Sequence, residues 1–226
     1  MDVVAGAPVT DARTPEAVVF DNDGLLLDTE QAWTRAEVTL FERHGAEFTA
    51  VHKRDLIGSS HLVAAAKLER MLAQPGNGLA LMAELDELVM AEVLHDVEPR
   101  PGAVDLVETL LSAGTPIALA TNSPRAFCER ALHTAGMDGR FGVIVAGDEV
   151  ANAKPAPDIY LEACLQLGAQ PARSVALEDS PTGTEAANAA GLTVVGVPYL
   201  ADIELPAAHI IATSLADEEV RGACGL

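Results

Sequence analysis

From residue 101 onward, short runs of β-branched and apolar residues alternate with segments whose apolar positions recur at helical spacing. The strand-like runs are residues 116–120, 143–145, 174–176 and 193–197, and the helix-like segments are residues 103–111, 125–135, 158–167 and 184–190. An earlier apolar run, residues 17–20, has the same strand-like character. This alternation is typical of a doubly wound parallel sheet. We therefore predict an α/β fold with a Rossmann-like core.

After the first predicted strand the alternation stops, and residues 30–95 contain helical patterns alone. Asp28, followed by Gln31 three positions later, predicts the N-cap of the first of these helices. The Pro-Gly-Asn-Gly segment at residues 75–78 predicts a turn, and residues 79–94 form the longest helix candidate. An all-helical block inserted just after the first strand predicts a separate cap over the sheet.

These patterns divide the chain into three parts. We expect a flexible tail over residues 1–16, an α/β core made of residues 17–29 and 97–226, and a helical cap over residues 30–96. The predicted tail lacks the basic and then apolar pattern of a signal peptide. The sequence also contains no apolar stretch long enough to span a bilayer.

Composition and charge narrow the class of protein. The 226 residues are 49% hydrophobic, which is enough to bury a large core. The formal net charge of -20 would repel phosphate backbones and anionic membranes. Cys128, Cys164 and Cys224 form no CxxC pair, which suits a reducing compartment. We therefore expect a cytoplasmic monomer that binds neither nucleic acid nor membrane.

Polar and charged residues directly follow three of the predicted strands. These segments are Asp21–Gly24, Thr121–Ser123 and Leu177–Ser180. Because the carboxyl ends of neighbouring parallel strands line one crevice, we expect the segments to form a single site. Carboxylates that are brought together repel one another unless a metal ion or a proton neutralises them. The pattern therefore predicts a magnesium-dependent phosphoryl-transfer site; for Glu178 and Asp179 the alternative is a strand end followed by a helix cap.

Other kinds of site fit the sequence less well. A calcium loop that starts at Asp21 requires glutamate at its twelfth position, where this chain has Ala32. The six histidines lack HExxH spacing, and the sequence contains neither GxSxG nor a Walker or GxGxxG loop. These absences disfavour zinc proteases, serine hydrolases and nucleotide binding through such loops.

The chemistry of the first segment follows from its two carboxylates. Asp21 is a candidate nucleophile that attacks phosphorus and forms an aspartyl phosphate. Asp23, two positions further on, can reach the same crevice and act first as a general acid and then as a general base. Gly24 permits the tight turn that aims both side chains inward.

Binding of phosphate also requires hydrogen-bond donors. Thr121 and Asn122 are candidate phosphate-binding residues, through the hydroxyl group and backbone N–H groups at the end of their strand. Ser123 and Pro124 predict the N-cap and the first residue of a helix whose start faces the anion. The Ser180–Pro181 pair has the same cap-and-proline pattern.

Four segments, in order along the chain, resemble the motifs of the haloacid dehalogenase superfamily. They are Asp21–Glu30, Ala120–Ser123, Ala153–Asp158 and Leu177–Gly183. The resemblance covers nearly all of residues 18–198. It is greatest to the subgroup with a small helical cap, which includes sugar-phosphate phosphatases and β-phosphoglucomutase.

The resemblance implies a role for each matched residue. Mg²⁺ would be held by the carboxylates of Asp21 and Asp179 and by the backbone carbonyl of Asp23. Glu178 would assist directly or through water. Magnesium suits such a set because it prefers oxygen ligands and keeps several waters. Lys154 would neutralise both Asp21 and the transferring phosphoryl group, although a lysine before a proline is usually a solvated loop residue.

The expected reaction is hydrolysis of a small phosphomonoester of the sugar-phosphate or nucleoside-monophosphate class. The alternative is a hexose-phosphate mutase. Mutases of the subgroup carry Gly-x-Ser-Arg in the cap, where the arginine holds a second phosphate, whereas this chain has Gly58-Ser59-Ser60-His61. His61 is either a residue of a helix start or a substrate contact.

A binding protein without turnover is the other class, but every catalytic residue that the resemblance implies is present. The pattern explains neither Asn22 nor the identity of the substrate.

Overall fold

The computed structural model describes residues 14–226. Residues 1–13 of the predicted flexible tail therefore lie outside the described residues. Glu16, the last residue of that segment, is joined to the core: its backbone N–H donates to the Arg173 carbonyl at 2.8 Å, and its carboxylate pairs with the Arg173 guanidinium at 2.8 Å. Among residues 14–226, no helix is both long and apolar enough to cross a membrane.

The described residues form one six-stranded sheet with the strand order β3-β2-β1-β4-β5-β6. The strands are β1 Val18–Phe20, β2 Ile117–Thr121, β3 Val143–Ala146, β4 Val175–Glu178, β5 Thr193–Gly196 and β6 Ile210–Ile211. Every neighbouring pair is parallel. The strand order reverses beside β1, and at such a point a crevice opens at the carboxyl ends of the strands.

Side chains of the strands alternate between two buried layers, as the period of two in a strand requires. In β1, Val18 and Phe20 pack into one layer and Val19 packs into the other. The helices of the core are α5 Ala103–Ser112, α6 Arg125–Thr134, α7 Asp158–Leu167, α8 Pro181–Ala189 and α9 Glu218–Ala223. Residues of α5, α6 and α9 complete the first layer, and residues of α7 and α8 complete the second. The predicted doubly wound α/β core is confirmed.

Four helices occupy the segment between β1 and α5. They are α1 Glu30–Arg43, α2 Ala50–Leu56, α3 His61–Met71 and α4 Gly78–Val93. The buried side chains of Leu40, Leu68 and Leu85 come from α1, α3 and α4, so these helices share one apolar interior. This confirms the inserted helical cap, and its longest helix is α4, as the sequence predicts.

The chain enters and leaves the cap through two adjacent connections. The Asp28 N–H donates to the Glu98 carbonyl at 2.8 Å, and the Arg100 N–H donates to the Leu26 carbonyl at 2.9 Å. The predicted N-cap at Asp28 is wrong, because α1 begins at Glu30 with Thr29 before it. Asp28 is still part of the paired connection, and its side chain accepts from Gln31 Nε2 at 2.8 Å instead.

Candidate active site

The three polar segments meet at the carboxyl edge of the sheet. Phe20 of β1 is level with Leu119 of β2 and with Leu177 of β4. The residues that follow therefore emerge side by side: Asp21 directly after β1 and Glu178 at the end of β4. Neighbouring strands in register thus bring together residues that are far apart in the sequence.

Lys154 lies at the centre of this cluster and is only 3% exposed. Its Nζ is 2.6 Å from Asp21 Oδ1, 2.6 Å from Glu178 Oε1 and 2.7 Å from the Ala120 carbonyl oxygen. An ammonium group has three donors, so all of them are used. Desolvation alone would lower the pKa of Lys154, but the attraction of Asp21 and Glu178 outweighs it and raises that pKa. Lys154 is therefore a buried, charged lysine and not a solvated loop residue.

Glu178 accepts hydrogen bonds at both of its carboxylate oxygens. Besides Lys154, Oε1 accepts from the Tyr160 hydroxyl at 2.6 Å. Oε2 accepts from the backbone N–H groups of Asp179 and Ser180 at 3.2 and 3.4 Å and from Ser180 Oγ at 3.2 Å. A Cβ at Gly183 would overlap this carboxylate. Glu178 is thus held rigidly, with Lys154 attached to it.

Sequence reasoning missed Tyr160. This residue is fully buried in α7, and its ring centroid lies 5.0 Å from Lys154 Nζ. Burial raises the pKa of its hydroxyl, which stays a donor to Glu178. The available signal was its place two residues after the end of the third motif, but the pattern indicated only a buried helix position there.

The Asp23 carboxylate is oriented by three hydroxyl groups. Oδ2 accepts from Thr121 Oγ1 and Ser123 Oγ, both at 2.8 Å, and Oδ1 accepts from Thr29 Oγ1 at 2.7 Å. The Thr121 hydroxyl, predicted to bind phosphate, therefore donates to Asp23 in this structure. The predicted capping role of Ser123 is wrong. Helix α6 begins at Arg125 after an extended Pro124, because the Ser123 hydroxyl turns inward to Asp23.

Asn122, the other predicted phosphate-binding residue, holds the backbone of Lys154. Its Oδ1 accepts from the Lys154 N–H at 2.8 Å, and its Nδ2 donates to the Lys154 carbonyl at 3.3 Å. The side chain is therefore committed to the loop that carries the lysine. By contrast, the predicted capping by Ser180 is confirmed: it accepts from the Gly183 N–H at 3.0 Å, and Pro181 is the first residue of α8.

Asn22 is fully buried beside the two aspartates. Its backbone carbonyl accepts from the N–H groups of Leu26 and Leu27 at 3.2 and 3.0 Å and so closes the turn after β1. Its Nδ2 donates to Asp23 Oδ1 at 3.2 Å, while Oδ1 has no hydrogen-bond partner among residues 14–226. The backbone thus explains the turn, and nothing in the structure explains the amide oxygen.

Three buried carboxylates can hold a metal ion. One oxygen each from Asp21, Glu178 and Asp179 lies within 4.8 Å of the others. Desolvation raises the pKa of both Asp21 and Asp179, because the attraction of Lys154 does not offset their burial. A bound cation would neutralise this crowding. Gly24 has a φ of 86°, and a Cβ there would overlap the Asp179 carboxylate, so the turn leaves room for the group. The donor set of hard oxygens fits a divalent cation such as Mg²⁺.

A cavity of about 90 Å³ lies between this cluster and the cap. Its core wall includes Asp21, Asp23, Thr121, Lys154 and Asp179, and its cap wall includes Glu30, Trp33, Glu37, Lys53 and His61. The cavity is therefore lined by the core carboxylates and Lys154 on one side and by residues of α1, α2 and α3 on the other.

The cap wall contains a buried ion network that sequence reasoning missed. Lys53 Nζ lies 2.6 Å from Glu30 Oε2 and 3.1 Å from Glu37 Oε2. Desolvation raises the pKa of Glu37 to about 7, despite the attraction of Lys53. Desolvation would lower the pKa of Lys53, but Glu30 and Glu37 together raise it. His61 also lines the cavity, and its Nε2 lies 2.8 Å from Asp86 Oδ2.

A parallel sheet with carboxylates at its carboxyl edge and a helical cap above defines the class: a capped α/β enzyme. A family model of haloacid dehalogenase-like hydrolases matches residues 15–191. The chain belongs to this family, which confirms the resemblance found in the sequence.

Individual relatives agree with the family. The fructose-1-phosphate phosphatase YqaB of Escherichia coli is 33% identical over 183 residues, which are 81% of this chain and 96% of the relative. The bifunctional riboflavin kinase/FMN phosphatase of Arabidopsis thaliana is 33% identical over 189 residues, which are 83% of this chain; the chain spans 50% of that relative. The predicted enzyme class, a phosphoric monoester hydrolase, is confirmed at the level of this family and its phosphatase members.

The fold also matches a solved structure. CbbY from Rhodobacter sphaeroides in complex with phosphate has a TM-score of 0.81 and 30% sequence identity, over 92% of this chain and 98% of that one. A mutant of the same protein was crystallised with xylulose-(1,5)bisphosphate.

Proposed function

We propose that this chain is a magnesium-dependent phosphatase that hydrolyses a small phosphomonoester through an aspartyl phosphate on Asp21. The observation that carries the proposal is the position of Asp21. Its carboxylate borders the cavity, is held by Lys154 at 2.6 Å and lies within the group of oxygens that suits a cation. The phosphatase relatives and the phosphate bound to CbbY support the same chemistry.

Asp21 is the nucleophile in this proposal. Its carboxylate attacks phosphorus, the bond to the leaving oxygen breaks, and water then hydrolyses the aspartyl phosphate. Lys154 holds one oxygen of Asp21 and so leaves the other free for attack. Mg²⁺, held by the Asp21 and Asp179 carboxylates and the Asp23 backbone carbonyl, would neutralise charge on the phosphoryl group. Both oxygens of Glu178 already accept protein donors, so Glu178 would reach the cation through water.

Asp23 is the general acid and base. It gives a proton to the leaving oxygen and later removes one from the attacking water. The hydroxyl groups of Thr121 and Ser123 suit both states, because a hydroxyl can donate to the carboxylate and accept from the protonated acid. Thr121 and Asn122 would contact phosphate through backbone N–H groups, since their side chains bind Asp23 and the Lys154 backbone.

The side chains of the cap favour hydrolysis over phosphoryl transfer within a sugar bisphosphate. A mutase must hold a second phosphate with a cation in the cap. In this chain His61 is paired with Asp86, and Lys53 is paired with Glu30 and Glu37. In the proposal residues 30–96 act as a cap that encloses the substrate, while residues 17–29 and 97–226 carry the reacting groups.

One assay tests the reaction and its metal together. The protein is incubated with β-glucose 1-phosphate and a trace of β-glucose 1,6-bisphosphate, and both inorganic phosphate and glucose 6-phosphate are followed. We expect phosphate release that stops in EDTA and returns with Mg²⁺. Glucose 6-phosphate formed faster than phosphate would make the mutase correct, and full activity in EDTA would reject the metal.

A further inference from the structure

All three hydrogen-bond donors of the Lys154 ammonium group are already used within the protein. They go to Asp21 Oδ1, Glu178 Oε1 and the Ala120 carbonyl oxygen, at 2.6, 2.6 and 2.7 Å. Lys154 nevertheless lines the cavity together with Asp21, where the proposed function places the transferring phosphoryl group. The lysine can donate to a phosphoryl oxygen only if it gives up one of its three present hydrogen bonds.

The three acceptors differ in what such a loss would leave behind. Among residues 14–226, Asp21 Oδ1 and the Ala120 carbonyl accept from no other side chain. Glu178 Oε1, by contrast, also accepts from the Tyr160 hydroxyl at 2.6 Å. A buried acceptor without a partner costs free energy, so an acceptor that keeps a second donor is released at the lowest cost. Glu178 is therefore the partner that Lys154 can exchange most easily.

Glu178 and Tyr160 are both fixed well enough to stay in place during such an exchange. The other carboxylate oxygen of Glu178 accepts from two backbone N–H groups and the Ser180 hydroxyl. Tyr160 is fully buried and packs into the second layer of the core. Its ring centroid lies 5.0 Å from Lys154 Nζ, a favourable distance for a cation over an aromatic ring. The ammonium group can therefore turn while its charge stays beside Glu178.

We propose that Lys154 exchanges its hydrogen bond to Glu178 for one to a phosphoryl oxygen, and that Tyr160 is the positioning residue that permits this exchange by holding Glu178 Oε1. One N–H···O bond is broken and one is formed, and no proton is transferred. Tyr160 acts through Glu178 and Lys154. The inference rests on the proposed function and adds a residue that prepares the lysine for the phosphoryl group.

Tyr160→Phe tests the proposal, because it keeps the ring and removes the hydroxyl group. Lys154 is then the remaining side-chain donor to Glu178 Oε1 and is harder to release. In saturating Mg²⁺ we expect kcat/KM for p-nitrophenyl phosphate to fall about tenfold and the inhibition constant of inorganic phosphate to rise about tenfold, the effect of one hydrogen bond to a charged group. A purely structural role would lower the melting temperature and leave the inhibition constant unchanged.

Tyr199→Phe is the matched control, since Tyr199 is the other of the two tyrosines in the chain. Its hydroxyl also donates to a carboxylate, Asp28 Oδ1 at 3.1 Å, which Lys154 does not contact in the described structure. The control loses the same atoms and should keep the inhibition constant of phosphate within about twofold of the wild type. Thermal unfolding verifies that both variants are folded.

A second measurement uses the wild-type protein and does not depend on either variant being active. The hydroxyl proton of Tyr160 is followed by NMR while inorganic phosphate is added in the presence of Mg²⁺. When Lys154 leaves Glu178 Oε1, the hydrogen bond from Tyr160 should become stronger, so we expect the resonance to move downfield. Carbon-13 labelling of the two tyrosines and the spectrum of Tyr199→Phe identify the signal.

The outcomes separate this inference from the proposed function. Phosphate release by the wild type, together with an unchanged inhibition constant in folded Tyr160→Phe, would overturn the exchange and leave the phosphatase intact. A Tyr160 resonance that saturating phosphate does not move would also overturn the exchange. No phosphate release by the wild type from p-nitrophenyl phosphate or from sugar phosphates would overturn the phosphatase, and the exchange with it.

Discussion

Two lysines line the cavity, Lys154 from the core and Lys53 from the cap, and each is paired with two carboxylates. Lys154 in the core is bonded at 2.6 Å to Glu178, whose two oxygens both accept further protein donors. Lys53 in the cap is bonded to Glu30 and Glu37, and each of these keeps one oxygen without a donor in the described chain. Both oxygens of Glu178 thus accept protein donors, whereas Glu30 and Glu37 each keep an acceptor oxygen without one.

Under the proposed function, this difference would distinguish groups that are held in place for the reaction from groups that remain free to accept a hydrogen bond. Groups that stabilise a transition state must be held in place before reaction, because reorganising them costs free energy. Groups that recognise a substrate must instead keep free donors or acceptors for it. Under the proposed function the two pairings therefore differ in role, and substitutions of the two lysines should have different effects.

Replacement of each lysine by methionine should reveal the largest difference between the two networks. Lys154→Met should lower kcat/KM for p-nitrophenyl phosphate by at least about 100-fold, because it removes a charge beside the transferring group. It should also lower the melting temperature, since Asp21 and Glu178 lose their buried partner. Lys53→Met should lower kcat/KM for the same substrate by less than about tenfold. Equal losses of activity in two folded variants would show that the networks do not differ in role.

Gly183→Ala tests how rigidly the core network holds Glu178. Alanine normally stabilises a helix relative to glycine by about 1 kcal/mol. At Gly183 the added Cβ would overlap the Glu178 carboxylate, so we expect the opposite sign, a loss of about 1–3 kcal/mol in the free energy of unfolding. Gly142→Ala, where a Cβ has no atom within 4 Å, is the control and should change stability little. Urea unfolding measures both, and a Gly183 variant as stable as the wild type would contradict the rigid placement of Glu178.

Glu37→Gln should change the pH dependence of stability. The pKa of Glu37 rises from 4.5 to about 7 in the folded protein, so the native state binds more protons than the unfolded state between these values. Stability from this residue therefore falls as the pH rises from 4.5 to 7. The variant loses this dependence and should gain stability relative to the wild type between pH 5 and pH 8, by at most about 3 kcal/mol. Urea unfolding at both pH values measures the change, and parallel stability curves would contradict the raised pKa.

The core of the site could be predicted from sequence because strand ends are recognisable. Asp21 and Glu178 directly follow apolar runs, and a parallel sheet places such residues at one edge. The partners of Asp23 could not be predicted, since the inward orientation of Ser123 depends on which donors surround the folded carboxylate. Helix α9 and strand β6 are too short to show a period.

The cap network was missed for a different reason. Glu30 and Glu37 share a face of α1, and this spacing is visible in the sequence. Lys53 comes from α2, however, and its approach depends on how α1 and α2 pack, which no local pattern specifies. Local patterns therefore predicted the helices of the cap but not the side of them that faces the cavity.

In the proposed reaction, phosphate passes through a covalent bond to Asp21. The most direct measurement is rapid acid quenching of the enzyme during turnover of a sugar phosphate, followed by mass analysis of its peptides. We predict one phosphoryl group on the peptide that contains Asp21, formed and lost at rates fast enough for turnover, and none in Asp21→Asn. Full-rate phosphate release without a phosphorylated peptide, or with the phosphoryl group on another residue, would contradict the account.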